Sequence, residues 1–235
     1  MSNGTKVIKR NGRVEPLDLE KMHLMVEEAC MDLAGVSASQ VEMQSGIQFY
    51  DGITTAEIQE ILIKSASDLI DLENPNYQFV AARLLLFSVR KSLNGRVQEH
   101  AVFLDHITKC VELGVYDNAI FTHYTEEELA KCGNYINHHR DYLFTYAGLR
   151  QVVDKYLVQD RSIGKVHETP QFMYMMIALT IFAEYPKETR LTYVRRYYDA
   201  ISRHKINIPT PIMACLLYTS PSPRDATLSR MPSSA

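Results

Sequence analysis

Two cations stand side by side near the head of the chain, Lys9 and Arg10, in the run VIKRNGRVEPLDLEKM from Val7 to Met22. They adjoin Asn11-Gly12, a pair suited to a two-residue hairpin because both central residues of such a turn accept positive φ. Val7-Ile8-Lys9-Arg10 and Arg13-Val14-Glu15-Pro16-Leu17 then read as short strands. Pro16 cannot donate to a ladder, so it marks an edge or a strand end. Asp18 is an N-cap, followed at helical spacing by Leu19, Met22, Val26, Ala29 and Leu33, and Gly35 is expected to stop that helix. Two cations beside a helix start suit an anion. On these residues alone a surface hairpin with solvated charges is the stronger reading.

Other groups could do chemistry but do not assemble into a known device. His139-Arg140-Asp141 has the order of a kinase catalytic loop, yet Tyr146 stands where the required Asn would be and no Gly-rich loop precedes it. His138-His139 could bind a metal, but adjacent histidines on a helix diverge, so solvated side chains are expected. Arg195-Arg196-Tyr197-Tyr198 mixes cations with aromatics as some nucleic-acid surfaces do. Helical spacing instead turns Val194, Tyr197 or Tyr198 and Ile201 inward and the arginines outward. No GxxxxGK or GxGxxG occurs, so a nucleotide would need another cradle. The four cysteines, Cys30, Cys110, Cys132 and Cys215, lie far apart without CxxC or zinc spacing. They read as reduced thiols, with Cys30 in the core.

The elements that must carry these residues are mainly helical. With 235 residues, 46% hydrophobic and 23% charged, the chain suits one large or two ordinary globular domains. Its net charge of −3 argues against a mainly electrostatic nucleic-acid binder. The amino terminus lacks an apolar signal core. The most apolar run, Phe172 to Ala183, falls short of the ~18–20 residues a bilayer requires and reads as a buried helix. Ser37-Ala38-Ser39 can cap a second helix running towards Phe49. Thr54-Thr55-Ala56-Glu57 has capping-box spacing before an apolar face at Ile58, Ile61, Leu62, Ala66, Leu69 and Ile70. A fourth helix, opened by Asn74-Pro75, runs from Tyr77 to about Leu93, and Asn94-Gly95 closes a first unit.

From about 100 to 214 a second, mainly helical unit is expected. One helix ends over Val111 to Gly114, and another starts at Tyr124 to Glu128 with acids in its first turn. Tyr156 to Gln159 and Lys165 to Glu168 read as a hairpin. A buried helix over 170–185 and a basic helix from Lys187 to Lys205 follow. Ile208-Pro209-Thr210-Pro211-Ile212 is expected to be extended, since each Pro biases its predecessor away from helix. The last 21 residues, CLLYTSPSPRDATLSRMPSSA, hold three of the nine prolines and no helical period. They resemble the translated read-through of a sequencing-library adapter.

Taken in order, KRNG, QFYDGITTAEI (48–58), PNYQFVAARLLLFSVRK (75–91), KYLVQDR (155–161), YPKETRLTYVRRYYDAIS (185–202) and INIPTPIM (206–213) resemble one family. They are similar to the amino-terminal part of the large subunit of bacterial class I aerobic ribonucleotide reductase, beginning with an ATP-cone. The resemblance covers residues 5 to 214. It implies a mainly α fold: an ATP-cone over 1–95, made of a four-helix bundle with a small β cap, then a helical domain over 96–214. Residues 215–235 are expected to be a disordered, non-native tail. The family's ten-stranded α/β barrel would lie beyond.

The resemblance also implies the residues of the site. Lys9, Arg10 and Lys91 would meet the phosphates of ATP or dATP, an allosteric effector arriving with Mg. The segment Glu15, Pro16, Leu17, Asp18, Leu19, Glu20 and Lys21 would wrap the nucleotide, with Glu15 and Asp18 accepting from the adenine amino group and Lys21 adding a cation. Thr55 would offer its hydroxyl beside the third helix's start. Thr210 would touch the substrate diphosphate. No catalytic residue is expected here, since the radical-bearing cysteine and redox pair would lie further on and Cys215 is none of them. Related bacterial sequences often carry histidines where this chain has Gln59 and Ser88, and Asn in place of Asp18, so discrimination of dATP and the number of nucleotides held are left open.

For the intact enzyme the resemblance implies a radical-generating small (beta) subunit, self-dimerisation, thioredoxin or glutaredoxin as reductant, and a cytoplasmic location, without DNA or membrane. No metal is expected on this chain's own ligands. The alternatives are a stand-alone nucleotide-sensing ATP-cone protein or an ATP-cone repressor. The repressor would carry a zinc ribbon before the cone, where this chain has six residues.

Overall fold

Residues 5–46, 48–160 and 163–215 are described by the structure, a computed structural model. Contacts divide the chain into two compact units, Met1–Gln98 with Asp141–Val152, and Glu99–Arg140 with Val153–Ala235. The expected disordered tail lies, after Cys215, outside the described residues.

The first unit opens with strands β1 (Lys6–Ile8) and β2 (Val14–Pro16), paired antiparallel with Val7 opposite Glu15. The turn between them differs from expectation. Lys9 N–H donates to the Arg13 carbonyl at 2.8 Å and Gly12 N–H to the Lys9 carbonyl at 2.9 Å. Arg10 and Asn11 are therefore the central residues of the turn, and only Gly12, at φ +80°, is left-handed. With Lys9 and Arg13 as the closing pair, three residues remain for the loop. That length favours an ordinary turn ended by a left-handed Gly over the two-residue mirror-image turn. With a third strand, β3 (Ile53–Thr54), the sheet order is β2-β1-β3, which puts Pro16 on an edge strand, where a missing N–H costs nothing.

Helix α1 (Leu19–Cys30) starts on the Asp18 cap, whose carboxylate accepts from Lys21 N–H at 2.9 Å. It stops sooner than the apolar spacing implies, with Leu33 outside it. The Arg83 guanidinium donates to the carbonyls of Ala29 at 3.1 Å and Met31 at 2.5 Å, which satisfies the helix end five residues before Gly35 is reached. Helix α2 (Ala38–Gly46) follows, then the two-residue strand β3 (Ile53–Thr54), which runs parallel to β1 and was not visible in the sequence.

Helix α3 (Thr55–Asp68) carries the expected capping box: Glu57 N–H donates to Thr54 Oγ1 at 3.1 Å, and Thr54 N–H to Glu57 Oε2 at 2.9 Å. Helix α4 (Tyr77–Asn94) ends on left-handed Gly95. These four helices pack as a bundle, α3 against α4 most extensively. Leu62, Ile63, Ala66, Val80, Ala81 and Leu84 are almost wholly buried. Each Leu or Val so buried contributes ~1.5–3 kcal/mol.

Further along lie α5 (Phe103–Glu112), α6 (Ala119–His123), α7 (Glu126–Gly133), a 3-10 turn (His138–Leu143) and α8 (Tyr146–Lys155). The short hairpin β4 (Gln159–Asp160) and β5 (Lys165–Val166), then α9 (Pro170–Ile181), α10 (Lys187–Ser202) and α11 (Thr210–Cys215), complete the described chain. Helix α9 is buried on every side from Pro170 to Leu179, as its composition requires. Helices α5 and α7 approach so closely that a Cβ on Gly133 would stand 2.9 Å from that of Phe103.

Two expectations are corrected in the second half of the chain, and one left open is resolved. Thr210 to Cys215 is helical although 208–212 was expected to be extended. Both prolines lie at its start, with Pro209 accepting from Ile212 N–H at 3.0 Å, and a helix's first turn has no use for the N–H that Pro lacks. His138 is not simply solvated: its ring stacks on His100 with centroids 3.6 Å apart. Of the two tyrosines left open, Tyr198 is the fully buried one, and Arg195 and Arg196 face outward.

Candidate functional site

The hairpin, the start of α1 and the end of α4 bring like charges together. The Lys91 amine is half-buried and held below the usual lysine range, first by burial and then by the charges of Arg10, Lys21 and Lys9. Four cations thus come from three places in the sequence to one electrostatic neighbourhood. Lys9 pairs with Glu15 at 3.2 Å, both side chains still partly exposed, at 29% and 48%. Arg10 and Lys21 are exposed. Like charges so placed disfavour one another, and an anion among them would relieve both repulsion and desolvation.

The other candidates surround this cluster by chain connection. Leu17 N–H donates to the Thr5 carbonyl at 2.8 Å, so the stretch from Glu15 to Asp18 is fixed between a strand and a helix cap. One Asp18 oxygen is taken by the cap. Leu19 and Val14 keep 60% and 59% of their surface exposed, unusual for apolar residues beside a charged loop. Glu20 is exposed on the first turn of α1. Thr55 is half-buried as the first residue of α3, where unpaired helix N–H groups begin.

Two residues that sequence reasoning passed over hold this end of the sheet. Asp51 Oδ1 accepts from Lys6 N–H at 2.8 Å, and Tyr50 donates to Glu57 at 3.2 Å. Gln59 is buried, and its amide donates across the bundle to the Leu84 carbonyl at 2.9 Å. Ser88 is half-buried on α4.

Thr210 belongs to the second unit, at the first position of α11, with its hydroxyl 3.1 Å from that of buried Tyr156. That unit has a polar cluster of its own. Glu168 is fully buried, accepting from the Tyr116 hydroxyl and from Val158 N–H at 2.8 Å. Burial pushes its carboxyl up to about 7, against the pull of those two hydrogen bonds. Burial also lowers His106 to about 4 and raises Cys110 to about 12. Among the described residues no group of three or more His, Cys, Asp or Glu is arranged to hold a metal. None of the described helices is long and apolar enough to cross a membrane.

Comparison with known proteins finds two families along the chain. Residues 5–92 match the ATP cone domain, and residues 142–218 match the all-alpha domain of ribonucleotide reductase. Ribonucleoside-diphosphate reductase 1 subunit alpha of Escherichia coli (strain K12) is 47% identical over 214 residues, covering 91% of this chain and 28% of that protein. The chain is homologous to the amino-terminal region of the ribonucleotide reductase large subunit. The subunit alpha of Haemophilus influenzae is 45% identical over the same length, and that of Helicobacter pylori 34% over 209 residues. The chain spans a little over a quarter of the length of these curated relatives, 26–28%. The ATP cone match takes in the hairpin, the α1 start and Lys91, and hence the whole cation cluster.

Proposed function

We propose that this chain is the amino-terminal regulatory part of a ribonucleoside-diphosphate reductase large subunit, binding ATP or dATP to set the activity of the whole enzyme. The convergence of Lys9, Arg10 and Lys21 on the half-buried amine of Lys91 carries this reading. A triphosphate is the multiply charged anion that such a cluster suits. Charge-assisted hydrogen bonds are each worth ~1.5–3 kcal/mol, so a few give micromolar affinity without a P-loop.

Thr55 and the N–H groups at the start of α3 add donors. Glu15 and the free oxygen of Asp18 accept from the adenine amino group, while exposed Leu19 offers the base an apolar face. Mg would arrive on the phosphates with its own waters, since it needs few protein ligands. Pro16, Leu17 and Glu20 act as the fixed frame of the wrapping segment. In the intact enzyme Thr210 would hydrogen-bond the diphosphate of a ribonucleotide. The radical-generating beta subunit, thioredoxin or glutaredoxin, and a second large subunit would be its partners, in the cytoplasm.

Thermal unfolding of the whole chain tests the effector site. At ATP a hundredfold above its dissociation constant the folded state should gain ~2.7 kcal/mol. Lys9→Ala combined with Lys91→Ala should remove that gain. An equal gain in the double variant, or none in the wild type, would sink the proposal.

A further inference from the structure

The cation cluster depends on where α4 puts Lys91, and that helix is gripped by a segment from much later in the chain. Asp141–Val152 packs within the same compact unit as Met1–Gln98, although the matched cone ends at residue 92. Arg90, next to Lys91, donates from Nη2 to Asp141 Oδ2 at 3.0 Å, with the two side chains only 5% and 0% exposed. Tyr142 lies against the same stripe of α4. The Arg83 and Arg90 guanidinium carbons stand 4.9 and 5.6 Å from its ring centroid, and the Phe87 ring meets it edge-on at 6.5 Å. Positions 83, 87 and 90 are one helix face. Arg150, further along the segment, reaches Glu60 on α3 at 3.8 Å, so both helices that carry site residues Thr55 and Lys91 are touched.

We propose that Asp141 and Tyr142 position Lys91 in the effector site, so that the working effector module is residues 5–98 together with 141–152. This rests on the reading of the cation cluster as a nucleotide site. Lys91 is three residues from the last of α4, where helices open most easily. Repulsion from Arg10, Lys21 and Lys9 pushes on that last turn whenever no anion is present. A buried ion pair on the neighbouring residue opposes the push. Such a pair adds little net stability, because desolvation offsets attraction, but it fixes geometry strictly. Asp141 and Tyr142 are thus positioning residues acting through Lys91.

Calorimetric titration of the whole chain with ATP tests this, as a double-mutant cycle between Asp141→Asn and Lys91→Ala. Asp141→Asn should weaken ATP binding by about tenfold alone and by less than about twofold in the Lys91→Ala background. A merely structural role would cost the same in both backgrounds, and that result overturns the proposal. Should Asp141→Asn fail to fold, Tyr142→Leu leaves no buried charge unpaired and takes its place, with a loss of about threefold expected to vanish in the same background. Wild-type binding that Lys91→Ala weakens while Asp141→Asn and Tyr142→Leu leave it intact overturns this proposal alone. Absence of ATP binding in the wild type overturns the effector reading itself, and this proposal with it.

Discussion

Lys91 and Glu168 are both charged-type side chains withdrawn from water, and they differ in what answers the withdrawal. Around Glu168 the fold supplies its own donors, the Tyr116 hydroxyl and Val158 N–H, and the carboxyl is driven towards its neutral form. Around Lys91 the fold supplies more cations. A polar group answered by internal partners is part of the framework. A charge surrounded by its own kind is unfinished until something of opposite sign arrives, and that asymmetry separates a structural cluster from a binding one.

The contrast can be broken by removing one side chain from each cluster. Tyr116→Phe withdraws a donor from a fully buried carboxyl and should destabilise the second unit by ~1–3 kcal/mol. ATP binding should be untouched. Lys91→Met should do the reverse, leaving unfolding without nucleotide unchanged or slightly favouring the folded state, because a desolvated and repelled charge is gone. It should weaken ATP binding by about tenfold or more, the equivalent of one charge-assisted hydrogen bond. Chemical denaturation and ATP titration of both variants decide it. Equal losses of stability would show that Lys91 is framework too.

Acid and base sharpen the same comparison. Glu168 has a folded value near 7 against an ordinary 4.5, so it favours the folded state below pH 4.5 and loses that contribution as pH rises through 7. His106, near 4 against 6.5, acts oppositely, and its contribution is present above pH 6.5 and lost as pH falls towards 4. Between pH 4.5 and 6.5 the two slopes offset each other. Glu168→Gln should unmask the histidine. The stability of wild type minus variant should fall by up to ~1.4 kcal/mol per pH unit across pH 4.5–7. A difference independent of pH would mean that Glu168 titrates normally.

What could be read from sequence divides along the range of the interaction. Caps were legible because their chemistry is local: Asp18 reaches Lys21, Thr54 reaches Glu57, and Gly95 ends α4 by its own conformation. The cation cluster became legible only through resemblance, since Lys91 is 70 residues from Lys21 and nothing in the spacing joins them. Strand β3 escaped because two residues carry no period and its partner β1 is 46 positions away. Asp141 was weighed only as part of His139-Arg140-Asp141 and set aside, while its partner Arg90 sat 51 residues off in the fourth helix. The turn was misread for a different reason. Asn11-Gly12 gives the turn chemistry, but strand register sets loop length, and the pairing of Ile8 with Val14 is a tertiary fact.

The smallest effect tests the finest point of the contrast, the Lys9–Glu15 pair. Among the described residues Glu15 is the one carboxylate found on a cation of the cluster, and with both partners substantially exposed the pair is worth at most ~1 kcal/mol. Glu15→Gln should therefore barely change stability without nucleotide. Its effect on ligands should depend on whether they carry a base. Inorganic tripolyphosphate sees only the cations, and removing a competing negative charge should tighten its binding about twofold to threefold. ATP gains the same amount but loses a charged acceptor for its adenine amino group, so its affinity should stay level or fall. Titrating both ligands into wild type and variant gives the ratio of their affinities, in which any change of fold cancels. A ratio unchanged by Glu15→Gln would place the adenine elsewhere and leave Glu15 as a surface partner of Lys9.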